Sequence, residues 1–268
     1  MIIFVCIKQV PGISEVYINP ITNTLVREGI PSITNPHDKH ALELALSIKE
    51  KHGAEVIALS MGPPQAEEVL REALAMGVDQ AFLLTDRAFA GADTLATSYT
   101  LALGIKKILK ATKNKKNYLV ILGAQAIDGD TGQVAPELAE ELNIPQITYV
   151  QSFKLKDDTI ILERIFRKEE VVIIETKIPA VISVLKEINH PRLPTMRGIV
   201  ESFSKKKVTI FSSDDLKPDK SKIGLNGSMT EVFKIFTPEK KVKQVILKGT
   251  PREIAKELSK KLKEDKIF

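Results

Sequence analysis

The feature that most restricts the fold is an alternation of two hydrophobic periods through the first 150 residues. Short apolar runs occupy residues 2–7, 55–60, 80–85, 118–122 and 146–150, and the segments between them repeat their apolar residues at helical spacing. In the first such segment Asp38 stands as a cap ahead of Ala41, Leu44, Ala45 and Ile48, and His52-Gly53 closes it. The second covers residues 66–76 and stops at Gly77; the third starts behind Asp93 or Thr94 and runs to about residue 110. Nearly continuous apolar strands joined by helices predict an α/β fold. Its sheet is doubly wound, mostly parallel and covered on both faces.

In such a sheet ligands sit at the carboxyl ends of the strands, where the strand order reverses. The tips after Ile7, Ser60 and Leu122 are therefore expected to share one site. The third tip is the most informative: Gly123, Ala124, Gln125, Ala126, Ile127, Asp128, Gly129, Asp130, Thr131, Gly132, Gln133 and Val134 join an apolar run to a helical pattern over residues 136–142. A strand, a glycine-rich loop and a helix start aim backbone N–H groups at a phosphate. Thr131 or Asp130 is placed to cap that helix, and Pro136 fits its first turn. An ordinary strand-to-helix turn has the same composition, and both readings stand on spacing alone.

After residue 150 the period changes. Runs at 153–156, 160–166 and 171–177, with turns at Asp157-Asp158 and Lys168-Glu169, predict an antiparallel meander before a last apolar strand at 179–185. Residues 13–36 read as loop with a short hairpin, and residues 189–196 as a Pro-containing protruding loop. Residues 205–250 lack strong periodicity, whereas 251–263 form an amphipathic helix with Ile254, Leu258 and Leu262 on one stripe. The expected division is a nucleotide-binding domain over residues 1–200, with a C-terminal arm over 201–268 that lies on another subunit.

Composition excludes several classes. The lone cysteine, Cys6, lies inside an apolar run, forms no intrachain disulfide and fits a reducing, cytoplasmic setting. No apolar run approaches the ~20 residues of a membrane helix. The net charge of +5 arises in the arm, where residues 201–268 carry 17 Lys/Arg against 10 Asp/Glu. Interspersed acids and few aromatics there argue against nucleic acid. For a metal, the chain offers His37-x-x-His40 without a third ligand nearby. There is no Gly-x-Ser-x-Gly elbow and no Walker loop, and the phosphate loop itself contains no lysine. Such a loop suits holding a nucleotide rather than cleaving it. Asp128 is read as bonding loop N–H groups or ribose hydroxyls, and Met196 as either a local anchor or a docking residue.

Five stretches together resemble the beta subunit of electron transfer flavoproteins. They are Val5-Cys-Ile-Lys-Gln-Val-Pro11, Asn35-Pro-His-Asp38, Ser60-Met-Gly-Pro63, the loop over residues 123–134, and residues 179–184 continuing through Pro191-Arg192. The resemblance implies a Rossmann-like sheet of the adenine-nucleotide-binding type in a heterodimer whose alpha subunit holds a redox FAD. It implies nucleotide contacts from Cys6, Asn35, Pro36, His37, Asp38, Met61 and the loop over residues 123–134. It implies a docking loop of Asn189, Pro191, Arg192, Leu193, Pro194, Thr195 and Met196. No catalytic residue is expected. The implied partners are the alpha subunit and a dehydrogenase or quinone oxidoreductase, with membranes reached only through partners.

Simple carriers of this family hold AMP in the beta site, whereas electron-bifurcating members hold a second FAD. The segment Asp128-Gly-Asp-Thr-Gly-Gln-Val-Ala-Pro136 is similar to the second pattern. In that scheme electrons from NADH are divided between the alpha FAD and a low-potential acceptor such as ferredoxin. Gly12, where an acid is usual, and Ile165 after Glu163-Arg164 depart from the family pattern. Two other classes fit the residues less well. An ATP-cleaving α/β hydrolase or ligase would need a Ser-Gly-Gly-x-Asp-Ser loop where Lys8-Gln-Val-Pro-Gly12 stands, and a homodimeric nucleotide sensor leaves the arm unexplained.

Overall fold

Strand β1 (Ile2–Cys6) is buried along its whole length because both of its faces are covered. Its alternate side chains go to opposite layers, as the two-residue period of a strand demands. Ile3 and Val5 join the same core cluster as Ala41, Leu42, Leu70 and Leu74, while Ile2, Phe4 and Cys6 join Leu101, Ile105 and Leu138. The computed structural model describes residues 1–12, 31–112, 117–167, 170–231, 233, 245–264 and 267.

After β1 come β2 (Gln9–Pro11), β3 (Ser32–Thr34), α1 (Pro36–His52) and β4 (Glu55–Met61). Then follow α2 (Glu67–Met76), β5 (Gln80–Leu84), α3 (Thr94–Ala111), β6 (Tyr118–Gly123) and α4 (Val134–Leu142). The meander is β7 (Gln146–Lys156), β8 (Thr159–Arg167) and β9 (Glu170–Lys177), and β10 (Ala180–Val184) returns to the centre. Past it lie α5 (Met196–Ser204), β11 (Val208–Phe211), α6 (Ser213–Leu216), α7 (Gly224–Gly227) and α8 (Pro251–Glu264).

The main sheet has the order β11-β5-β4-β1-β6-β10-β7-β8-β9. Pairings from β11 to β7 are parallel, and those of β7 with β8 and β8 with β9 are antiparallel. The order reverses at β1, which pairs β4 on one side and β6 on the other, with Cys6 level with Leu59 and Leu122. This is the doubly wound α/β architecture expected from the alternation. Asp93 caps α3 by accepting from the Ala96 N–H at 3.0 Å, and Gly53 ends α1 in the left-handed region at φ 68°. Most of the hairpin expected in residues 13–36 lies outside the described residues; what is described is β3 pairing antiparallel with β2, which precedes that stretch, Val10 opposite Ile33.

Two details differ from the sequence reading. The runs at 146–150 and 153–156 are one strand, because a bulge between Val150 and Ser152 lets β7 pass from β10 to β8 without a break. The backbone turns there, with Tyr149 at φ 58°. In the stretch without strong periodicity, β11 adds a parallel edge strand to β5, Val208 level with Ala81. Four residues are too few to show a period.

The chain divides into two compact units, one of residues 1–17 and 25–233 and one of residues 18–24 and 234–268. The first therefore extends past residue 200 and includes α5, β11, α6 and α7. Within the second, Thr250 precedes α8 and donates to Glu253 Oε2 through its N–H at 2.8 Å and its hydroxyl at 2.7 Å. No helix among the described residues is long and apolar enough to cross a membrane.

Candidate functional site

The carboxyl ends of β1, β4 and β6 meet at the reversal of strand order, and Asn35 and Asp38 bind two of these tips together. Asn35, fully buried, donates from Nδ2 to the Gln125 carbonyl at 2.9 Å and accepts the Ile127 N–H at 3.2 Å. Its own N–H donates to the Lys8 carbonyl at 2.9 Å. Asp38, buried in the first turn of α1, accepts the Lys8 N–H at 2.8 Å through Oδ2 and the Gly123 N–H at 3.1 Å through Oδ1. Burial pushes this carboxyl up to about 7, against the pull of the bonds from Lys8, Asn35 and Gly123. Asp38 therefore ties the β1 and β6 tips together. A Cβ on Gly123 would stand 2.5 Å from Asp38 Oδ1 and 2.6 Å from the His37 carbonyl carbon, which is why glycine ends β6.

The loop itself is a tight turn. Ala126 O accepts from the N–H groups of Gly129 (3.3 Å) and Asp130 (2.8 Å), and Ala124 N–H donates to Val184 O at 2.9 Å, tying the loop to β10. Asp130 sits at φ 53° and accepts from Gln125 Nε2 at 2.8 Å; Gly132 sits at φ 65°. The expected cap by Thr131 or Asp130 is not made. Gln133 occupies the N-cap position without a side-chain cap bond, because the Asp130 carboxylate is turned back onto Gln125. Among the described residues no hydrogen-bond partner is found for the N–H groups of Thr131, Gly132 and Gln133. They lead into the positive end of α4, as an anion cradle requires.

The other expected contacts fall as follows. Cys6 ends β1 within the core, and burial, with the Asp38 charge adding, pushes its thiol far above the usual range, so it stays neutral. Pro36 opens α1 beside His37, whose Nδ1 is buried without a partner among the described residues. Burial, and then His40, holds the His37 imidazole below its ordinary value. Met61 ends β4 half-buried, and Ile127 is exposed on the loop. A Cβ on Gly129 would meet nothing within 4 Å, whereas one on Gly132 would lie 3.2 Å from the Tyr149 hydroxyl. Val134 begins α4, and its carbonyl accepts from Ser98 at 3.2 Å.

Three contributors were missed in the sequence. Lys8, from the β1 tip, places Nζ 2.8 and 2.7 Å from the two Asp128 oxygens, so a cation reaches the loop that contains none. Thr94 of α3 donates to Glu137 at 3.1 Å, bringing that helix start to the site, and Tyr149 arrives from β7. The only signal was that Lys8 follows a strand facing the shared crevice.

The expected docking loop is anchored at its base and bare at its tip. Asn189 Nδ2 donates to His40 O at 2.9 Å, and Arg192 is held by Glu43 and Glu50 of α1. Pro191 and Pro194 flank Leu193, and Thr195 caps α5 by accepting from the Gly198 N–H at 3.0 Å. Leu193 and Met196 are 85% and 78% exposed, and Val200 and Phe203 continue an exposed apolar face along α5.

Comparison with known proteins identifies the family. Residues 22–215 match the electron transfer flavoprotein domain. The chain is 49% identical over 98% of both chains to an electron transfer flavoprotein subunit beta of Thermoanaerobacterium thermosaccharolyticum. It is 48% identical over 99% of both to the subunit of that name in Clostridium acetobutylicum. To the caffeyl-CoA reductase-Etf complex subunit CarD of Acetobacterium woodii it is 47% identical over the full length of both. With the strand tips, the loop and these matches in agreement, the chain belongs to the electron transfer flavoprotein family, as a beta subunit.

Proposed function

We propose that this beta subunit holds FAD in its own site and serves flavin-based electron bifurcation, paired with an alpha subunit that carries a second FAD. The observation that carries this reading is the space at Gly129 and the left-handed turn at Gly132, next to unpartnered N–H groups ahead of α4. A pyrophosphate needs such room and such donors. The residues present fit the group: the loop over residues 123–134 would hold the phosphates, while Asn35 and Asp38 set its position. FAD bound there would supply the exchange of two electrons with a donor such as NADH and their release one at a time. The protein's own part is binding, orientation and exclusion of water.

The relation to a subunit named for a caffeyl-CoA reductase-Etf complex supports assembly with a dehydrogenase partner. Ferredoxin or a quinone oxidoreductase would serve as the other contact, in a reducing cytoplasmic setting. The exposed apolar tip at Leu193 and Met196 is the surface for docking such partners. The second reading, a plain carrier holding AMP, uses the same loop with one phosphate. Co-expression with the alpha partner, heat release and quantitation of nucleotides separates them. Two FAD per heterodimer are expected; one FAD plus one AMP would replace the bifurcating reading with the carrier.

A further inference from the structure

Lys8 is the most tightly framed residue at the β1 tip. Its N–H donates to Asp38 Oδ2 at 2.8 Å and its carbonyl accepts from Asn35 N–H at 2.9 Å. Just before it, the Ile7 N–H donates to Leu59 O at 2.9 Å, so the backbone is pinned to both β4 and α1. From this fixed base the side chain crosses to the loop and meets both oxygens of Asp128, at 2.7 and 2.8 Å. The pair is open to water, with side-chain exposures of 49% for Lys8 and 31% for Asp128. An exposed ion pair of this kind contributes about 0–1 kcal/mol, so it is easily exchanged.

We propose that Lys8 is the phosphate-binding cation of the nucleotide site, with Asp128 as its resting counter-ion. This rests on the nucleotide-site reading given above. A bound phosphate, a dianion in AMP and one negative charge per phosphorus in FAD, accepts charge-assisted bonds from an ammonium as a carboxylate does, so the ammonium can pass to it from Asp128. The cradle ahead of α4 offers only partial charges, from backbone N–H groups of Thr131, Gly132 and Gln133. A phosphate bound by this loop adds negative charge to that of Asp128, and a full positive charge on the same loop offsets the repulsion. Lys8 meets this need, and its pinned backbone holds the ammonium close to the loop before any ligand arrives. The site therefore discriminates for phosphorylated over unphosphorylated adenine compounds through a residue 120 positions away from its counter-ion in sequence.

Calorimetric titration of the nucleotide-stripped alpha–beta heterodimer with AMP, FAD and adenosine tests this. Lys8→Gln is expected to weaken AMP and FAD about tenfold or more and to leave adenosine within about twofold. It should also flatten the salt dependence of AMP binding, and Lys8→Arg should restore most of the affinity. Asp128→Asn, which frees the ammonium, is expected to hold or raise AMP affinity. Equal losses for AMP and adenosine in Lys8→Gln, or an Asp128→Asn variant as weak as Lys8→Gln, would show that the pair merely braces the loop and would overturn the proposal. A wild-type heterodimer that bound none of the three ligands would overturn the nucleotide-site reading itself.

Discussion

Arg192 and Glu43, 149 residues apart, are joined by three hydrogen bonds. Nε donates to Oε2 at 2.8 Å, an Nη2 proton to Oε1 at 2.9 Å, and the Arg192 backbone N–H to Oε2 at 3.0 Å. Glu43 is buried on α1, and burial alone would push its carboxyl up. The side-chain and backbone bonds from Arg192 outweigh that and hold it below the usual range. About one and a half turns earlier, the same helix carries His37 and Asp38 against the β6 tip. One helix thus braces both the proposed nucleotide site and the base of the proposed docking loop.

Removing the guanidinium should therefore loosen the loop and cost stability together. Arg192→Ala removes the two guanidinium bonds and leaves Glu43 only the backbone N–H at 192 and Ser47, a loss of about 2 kcal/mol, or roughly 4–8 °C in Tm. Because the folded pKa of Glu43 lies below its unfolded value, the contribution is present above the ordinary carboxylate range and fades as pH falls through it. Thermal melts from pH 3 to 8 check this: wild type and variant should converge at the acid end.

Gly123→Ala should be among the most damaging single-methyl changes. Its Cβ would meet Asp38 Oδ1 at 2.5 Å and backbone of His37 at 2.6 Å; the first is a buried carboxylate oxygen held by backbone N–H donors and the second is main chain, so neither yields easily. About 1–3 kcal/mol of destabilisation and loss of bound nucleotide are expected. Gly129→Ala is the matched control, since its Cβ meets nothing within 4 Å and should leave Tm unchanged. Urea unfolding of the two variants measures the difference.

Asp38 predicts a second pH effect of opposite sign. Burial raises its folded pKa to about 7, above the unfolded carboxyl, so the folded state binds the extra proton. Its contribution to stability is full at acid pH and is lost as pH rises from about 4 to about 7. Asp38→Asn should flatten that slope. It should also cost about 1–3 kcal/mol at pH 8, because an amide N–H₂ faces one of two backbone donors. Denaturation midpoints at pH 5 and pH 8 decide it.

Met196→Glu separates docking from folding. The side chain is 78% exposed, so stability should stay within about 0.5 kcal/mol. Electron transfer to a docked dehydrogenase should fall about tenfold or more, with flavin content of the heterodimer unaltered. Stopped-flow oxidation of the reduced heterodimer by the partner provides the readout.

Much of the architecture was legible because it rests on local chemistry. Buried parallel strands must be apolar throughout, and helices between them must show a 3.6-residue period, so elements near residues 2, 38, 55, 66, 80, 94, 118 and 146 could be located from side-chain type alone. The edge strand Val208–Phe211 was not legible, since its four residues gain their role only by lying beside β5. The passage of β7 from one neighbour to the next at Tyr149 was hidden for the same reason.

What the sequence determined by itself was the doubly wound sheet, the glycine loop after β6 and the family to which their combination belongs. The tertiary structure decided how the loop is governed. Asn35 and Asp38 bracket the strand tips, and the cap expected from Thr131 or Asp130 gave way to a bond between Gln125 and Asp130. Lys8 brought a charge that the loop's own sequence lacks. Hydrophobic period is a property of neighbours along the chain, whereas charge pairing and backbone bracketing join residues that meet only when the sheet closes.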